Sequence, residues 1–375
     1  MKEQVLTDSK VISFLRFPLT FLVVMQHCKG EIANNISWQE LSWINIYYSV
    51  KIFFSGGISF VAVPAFFFIS GYLFFRNVEE FGGEAYRGKL HKRARSLLVP
   101  YIIWILLCIP LTCLVRYFEN FSQNPSLAVQ DYFHSIRWLH IFWDHYCTVL
   151  NPNLLGFHSL YVAPLLGTMW FVRDLLVMSV CSPIVYFFVK KTGKYGIVFL
   201  SVFYLLRIWP SITLSSVSVY FFTLGAYFSL IRKSLTIPIF WESIMYVITC
   251  ISLIYFVASG GNENFIGWQL TPLYTLAGVL SIFSLTTRFI VHKPSFKIPP
   301  KLSDSSFFVY ALHIEFALPL GFYIGKMLTL HSSNPIVMTM RYFLTPIIIY
   351  TICICIYFVL GKLAPQLLKI VTGNR

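Results

Sequence analysis

Long apolar runs, parted by short gaps that collect the basic residues, make up most of the chain. A hydrocarbon layer ~30 Å thick needs about 20 helical residues at ~1.5 Å rise each. That ruler marks about ten candidate spans: Val11–Cys28, Ile52–Phe75, Ser96–Val115, Pro164–Val189, Gly196–Trp209, Ile212–Ile231, Ser243–Ala258, Trp268–Ile290, Phe307–Leu328 and Tyr342–Leu363. Gly196–Trp209 is short and Pro210 comes directly after it, so it and the next span also read as one interrupted helical hairpin. The expected fold is all-α, a polytopic membrane helical bundle.

The gaps orient it. With the N-terminus inside, the inner gaps hold 20 of the 29 Lys and Arg residues and the outer gaps and span ends hold 7, while Arg16 and Arg173 lie within spans. Positive charge accumulates on the cytoplasmic side of membrane proteins, so both termini are expected there. No repeat or low-complexity tract divides the chain, and residues 1–375 read as a single domain. Its one long gap, residues 116–161, faces outward and carries His134, Trp138, His140, Trp143, His145 and His158. Such a loop reads either as a lid over an outward site or as a segment anchored at headgroup depth by its aromatics.

Composition agrees with the pattern: 57% of residues are hydrophobic and 12% charged, and mean hydropathy is +0.69. These values exclude disorder, a collagen-like fibre, a disulfide-stapled module and an ordinary soluble domain. The net charge of +14 tracks the loops rather than one folded face, so nucleic acid is not the expected partner. No two of the eight cysteines have the two-residue gap of a zinc or redox motif, and most lie inside apolar runs; neither a metal site nor a disulfide framework is expected. Ile12 to Cys28 lacks a small-residue cleavage site and carries Arg16 and His27, unlike a cleavable signal.

Ionisable groups inside spans are costly, at about 2.5–3.5 kcal/mol each near the membrane centre on insertion scales, and so point to function. Arg16 and His27 are eleven residues apart; at ~100° per residue they project from one face, ~16 Å apart along the axis. A snorkelling arginine and an interfacial histidine are the plainer readings of each alone. In the fourth span Trp170 and Asp174 share a face, whereas Arg173 and Asp174 diverge by ~100° and are expected to need separate partners. In the ninth span Tyr310 and His313 can share a face, with Glu315 turned ~200° from His313. A lone buried histidine also fits a packing role. Arg76, Arg87, Lys89, Lys92, Arg93 and Arg95 crowd the entrance to the third span, dense enough for a phosphate or headgroup site as well as membrane anchoring.

Taken in order, these clusters resemble the integral-membrane acyltransferase family 3, which includes O-acetyltransferases acting on cell-surface polysaccharides and lipopolysaccharides. The resemblance rests on Arg16 and His27, on Ala65 to Leu73 around Ser70–Gly71–Tyr72, and on the basic run through Arg93 and Arg95 into Pro100–Tyr101. It continues with Met169 to Leu175 around Trp170, with Phe222, Leu224, Gly225 and Ala226, and with Tyr310 to His313. Asp174 stands near the place where some relatives carry a Glu after the Trp motif. The resemblance implies transfer of an acyl group, usually acetyl, from cytoplasmic acetyl-CoA as co-substrate to a sugar hydroxyl, within the membrane part itself. It places the protein in a bacterial inner membrane.

On that reading His27 is the expected base, Arg16 stabilises charge along the donor path, and His313 is a second acid–base candidate. Lys92, Arg93 and Arg95 are expected to grip the donor's phosphates. Trp170, Asp174, Ser70 and Tyr310 are expected to wall the substrate. There is no Gly-x-Ser-x-Gly elbow, so direct transfer is expected rather than a serine acyl-enzyme. The rival class is an exporter of a polysaccharide unit, which buried His, Arg and Asp also suit. Against it, the chain shows neither the internal repeat nor the paired broken helices of many transporters.

Overall fold

The computed structural model describes residues 2–30, 42–78, 80–210, 212–232, 234–260, 265–296 and 298–374. Of the inner-gap cations, Lys233, Lys297 and Arg375 lie outside the described residues, as does the side chain of Lys2. The chain is 78% helical, an all-α membrane architecture with little sheet. The first half runs α1 (Lys2–His27), α2 (Trp43–Lys51), α3 (Ala62–Phe75), α4 (Gly83–Arg93), α5 (Val99–Glu119), α6 (Pro125–Ser135), β1 (Tyr146–Val149) and β2 (Leu160–Ala163). The second runs α7 (Trp170–Val180), α8 (Ser182–Leu205), α9 (Ser216–Tyr227), α10 (Ile239–Ala258), α11 (Phe265–His292), α12 (Pro300–Asp304), α13 (Ser306–Leu312), α14 (Leu318–Leu328), α15 (Pro335–Leu363) and α16 (Pro365–Thr372).

Among the described residues six helical runs are long and apolar enough to cross a membrane, and a seventh if α7 and α8, bent by 66° at their junction, form one span. Longer runs arise where a π-helical turn joins two helices without ending them: Ile52–Gly57 ahead of α3, Ala94–Leu98 between α4 and α5, and His313–Ala317 between α13 and α14. Inside α8 the backbone breaks at Gly193, whose φ of 55° suits glycine and divides the helix near the expected boundary at Gly196. α1 is 26 residues long, but Arg16, Gln26 and His27 reduce its apolarity.

Lipid tails are as apolar as leucine side chains, so helices in a membrane associate through close packing at small residues. The tightest such seam joins α3 to α9. A Cβ on Gly71 would overlap the carbonyl of Phe222, and one on Gly225 the carbonyl of Phe68. The seam is flanked by fully buried Phe67, Phe68, Phe221, Phe222 and Phe283. Phe67 packs edge-on against Phe171 of α7 at 4.6 Å between ring centroids. The α3–α9 pair is thereby the scaffold on which α1, α7 and α11 rest.

Contacts at one end of the bundle bring the termini together. Buried Asp8 accepts from Tyr72 Oη at 2.6 Å, and Arg76 donates to Ser9 Oγ at 2.8 Å. Lys89 Nζ bonds the Phe74 carbonyl at 2.6 Å, and Trp104 Nε1 reaches the Val371 carbonyl of α16 at 2.9 Å. The basic α4 sits at this same end. Within residues 116–161 the chain builds α6 and then, across Tyr146–Val149 and Leu160–Ala163, an antiparallel ribbon pairing Tyr146 with Ala163 and Val149 with Leu160.

Candidate active site

Two histidines 286 positions apart in sequence face one another inside the bundle. The rings of His27, at the end of α1, and His313, on the π-helical turn after α13, lie 5.2 Å apart between centroids and are tilted by 53°. His313 is fully buried, and its Nδ1 lies 2.8 Å from the Tyr310 carbonyl. A carbonyl only accepts, so Nδ1 carries the proton and the neutral ring keeps its lone pair on Nε2. Among the described residues that Nε2 is buried without a partner. A buried acceptor left open is costly in a packed interior and marks a place where another group is received.

Both rings are held from outside the pair. Ser55 Oγ donates to the Met25 carbonyl at 2.5 Å and lies 2.7 Å from Tyr342 Oη, tying the last turn of α1 to the Ile52–Gly57 turn and to α15. The last carbonyls of a helix have no partner within it, so this bond fixes the turn that carries His27. The π-helical turn at His313 adds one residue to the helical circuit, a distortion often found at functional sites. It presents His313 to α1, while Glu315 accepts from Thr112 of α5 at 3.0 Å.

Two cavities lie in the bundle, and neither histidine is in the wall of either. One, named inner after the orientation expected from the sequence, has about 250 Å³ and is lined by Arg16, Thr20, Ser70, Arg93, Phe171 and Tyr310 among others. Arg16 is exposed to it, and the Arg93 guanidinium lies 5.7 Å from the centre of the Phe74 ring. Tyr310 donates to the Thr168 carbonyl at the entry of α7. Lys92 and Arg95 are exposed nearby but do not line this cavity. The outer cavity, about 310 Å³, includes Gln26, Tyr161, Trp170, Arg173, Arg207 and Trp268 in its walls. Gln26 precedes His27, and Tyr310 lies one turn before His313, so the neighbours of the histidine pair reach both chambers.

Arg173 and Asp174 do not diverge to separate partners. The arginine is long enough to curl back, and its Nε and Nη2 lie 3.1 and 2.8 Å from Asp174 Oδ1. Nη1 and Nη2 also reach the carbonyls of Trp143 and Thr213, at 2.6 and 2.8 Å, while Asp174 Oδ2 accepts from Ser215 N at 3.0 Å. Asp174 is fully buried beneath Arg173 and lines neither cavity, whereas Trp170, expected beside it, lines the outer one. Of the expected site residues, Arg16, Arg93, Ser70 and Tyr310 meet in the inner cavity, whereas His27 and His313 meet each other outside the walls of both.

Sequence reasoning passed over Ser55, Tyr342, Tyr161 and Arg207. Tyr161 lies on an outer strand and Arg207 at the end of a span, where an aromatic or a cation is ordinarily an interfacial anchor. Neither the curated proteins nor the solved structures searched give a match. A family model described as an acyltransferase domain matches residues 10–360, nearly the whole chain. A histidine pair whose neighbours reach two cavities, His313 buried and His27 half-buried, is a fitting centre for such an enzyme, and the chain belongs to acyltransferase family 3 as a multi-pass membrane acyltransferase.

Proposed function

We propose that this acyltransferase moves an acyl group, acetyl in the first instance, from cytoplasmic acetyl-CoA to a hydroxyl of a cell-surface sugar or polysaccharide. The observation that carries the reading is the facing pair His27 and His313, whose neighbours Tyr310 and Gln26 line an arginine-bearing cavity and an aromatic one. In this reading residues 1–375 form one domain of about ten spans, with both termini cytoplasmic and residues 116–161 outside, in a bacterial inner membrane.

The inner cavity, about 250 Å³, suits the acyl–pantetheine arm of the donor rather than all of it. The nucleotide then stays at the mouth, where Lys92 and Arg95 are exposed, and Arg93 and Arg16 lie deeper. Arginine's planar fork pairs well with phosphate. From Arg16 to His27 the thioester end has ~16 Å to travel along α1. There His27 takes the proton of the acceptor hydroxyl as its oxygen attacks the thioester carbon. The carbon–sulfur bond breaks, the coenzyme leaves as thiolate, and the proton on His27 passes to that sulfur. His313, whose Nε2 is open among the described residues, is the second candidate to accept that proton.

The test uses inverted membrane vesicles containing the wild type, His27→Ala or Arg93→Ala, supplied with acetyl-labelled acetyl-CoA. Label should appear on glycan, or be lost slowly to water when no acceptor is present, and should depend on both side chains. If folded wild type neither binds nor turns over acetyl-CoA, the two chambers are better read as the halves of an export path.

A further inference from the structure

Arg207 is the one cation in the wall of the outer cavity that has no carboxylate beside it among the described residues. Arg173, the other arginine there, is neutralised by Asp174. Among the described residues neither Asp nor Glu lines the cavity. A half-buried cation without a counter-charge in a largely apolar wall favours a ligand that brings an anion. The guanidinium is also held ready. Its centre stands 3.6 Å from the ring centre of Trp268, and Nε and Nη2 lie 3.1 and 2.7 Å from the Trp268 carbonyl. The backbone of Arg207 is left-handed, with φ of 53°, a conformation that a non-glycine residue adopts at a cost. Asn153 Nδ2, 3.2 Å from the carbonyls of both Leu206 and Arg207, pins that turn. Nη1 has no hydrogen bond to any of the described residues. The same cavity is walled by Tyr161, Trp170, Trp209 and Trp268, aromatic faces of the kind that stack on sugar rings.

We infer that the outer cavity selects an anionic sugar, a residue bearing a carboxylate or a phosphate, and that Arg207 is the specificity-determining contact. This rests on the acyl-transfer reading for what the sugar is used for, but the binding itself needs no transfer. The Trp268 ring and carbonyl alone would make Arg207 a mere clamp, and the test must separate the two.

Purified protein in detergent is titrated with one trisaccharide in three forms, ending in glucose, in glucuronate or in glucose 6-phosphate. Binding is read by tryptophan fluorescence, and thermal unfolding is recorded for each variant. The wild type should prefer at least one anionic form over the neutral one by roughly tenfold to a hundredfold, as a charge-assisted hydrogen bond provides. The tighter of the two identifies the anion. Arg207→Gln should reduce that ratio to about one, and Arg207→Lys, which keeps the charge but not the fork, should retain part of it. Equal affinity of the wild type for all three forms overturns the inference, whatever the variants do. So does a folded Arg207→Gln protein that keeps the preference. In a parallel assay with acetyl-CoA, transfer without anion preference sinks this inference alone, whereas anion-selective binding without transfer sinks only the acyl-transfer reading.

Discussion

The open Nε2 of His313 is the most informative single atom in the bundle, because its ring is oriented by a bond that serves no other visible purpose. His313→Gln removes a base yet keeps a polar side chain of similar length. The expected outcome is a fall in transfer rate of about 10²–10⁴-fold, the usual contribution of a positioned acid or base, with acetyl-CoA binding unchanged. Steady-state transfer measured beside equilibrium donor binding checks it, and an unchanged rate would return His313 to a packing role. Asp174 behaves differently, because it is committed to Arg173 and Ser215 N. Asp174→Ala strands a buried guanidinium and should cost ~3–5 kcal/mol of stability, while Arg173→Leu with Asp174→Leu should recover most of it. Thermal unfolding of the three proteins in detergent reads this directly. If the single variant unfolds at the wild-type temperature, the pair is not the internal brace its geometry describes. Arg16 and His27 were legible in sequence because their relation is fixed within one helix. The partnership of His27 with His313 was not, since it depends on how α1 and α13 pack. The Arg173–Asp174 bond escaped because helical angles describe where Cβ points and say nothing of where a long side chain ends.

Gly71 and Gly225 tie a sequence motif to an element-level role. Each lies where the facing backbone leaves no room for a Cβ, and backbone does not yield as a flexible side chain does. Gly71→Ala or Gly225→Ala should force α3 and α9 apart and lower stability by ~1–3 kcal/mol, as overpacking does. Gly88, in the exposed α4, has no atom within 4 Å of the same added carbon. There the change to alanine should stabilise the helix by up to ~1 kcal/mol. A fall in melting temperature at all three positions, or at none, would contradict the seam. Most elements were visible beforehand because a span of apolar residues long enough to cross a membrane has few other readings. The π-helical turns at Ala94–Leu98 and His313–Ala317 were not, since one added residue leaves the apolar run intact while rotating the helix beyond it. The ribbon of β1 and β2 was also missed: four-residue strands inside a polar loop carry too little pattern to stand out.

At the scale of the whole molecule, side-specific chemistry requires that the two cavities meet different solutions. The structure puts Asp8, Arg76, α4 and α16 at one end, and in the proposed orientation, argued from the charge of the gaps, that end faces the cytoplasm. Cys147 tests the assignment without engineering. It is exposed on β1 in the outer ribbon, while the exposed Cys250 and Cys355 lie within the apolar α10 and α15. A thiol facing lipid has no water in which to ionise, and the thiolate is the reactive form. A membrane-impermeant maleimide added to intact cells should therefore label Cys147, and Cys147→Ser should abolish that label. Sealed inverted vesicles should lose labelling at Cys147. Labelling of Cys147 from the inverted side alone would turn the bundle over. The arginine-bearing cavity would then face away from the cytoplasmic acyl-CoA pool, and the division of labour between the two chambers would have to be exchanged.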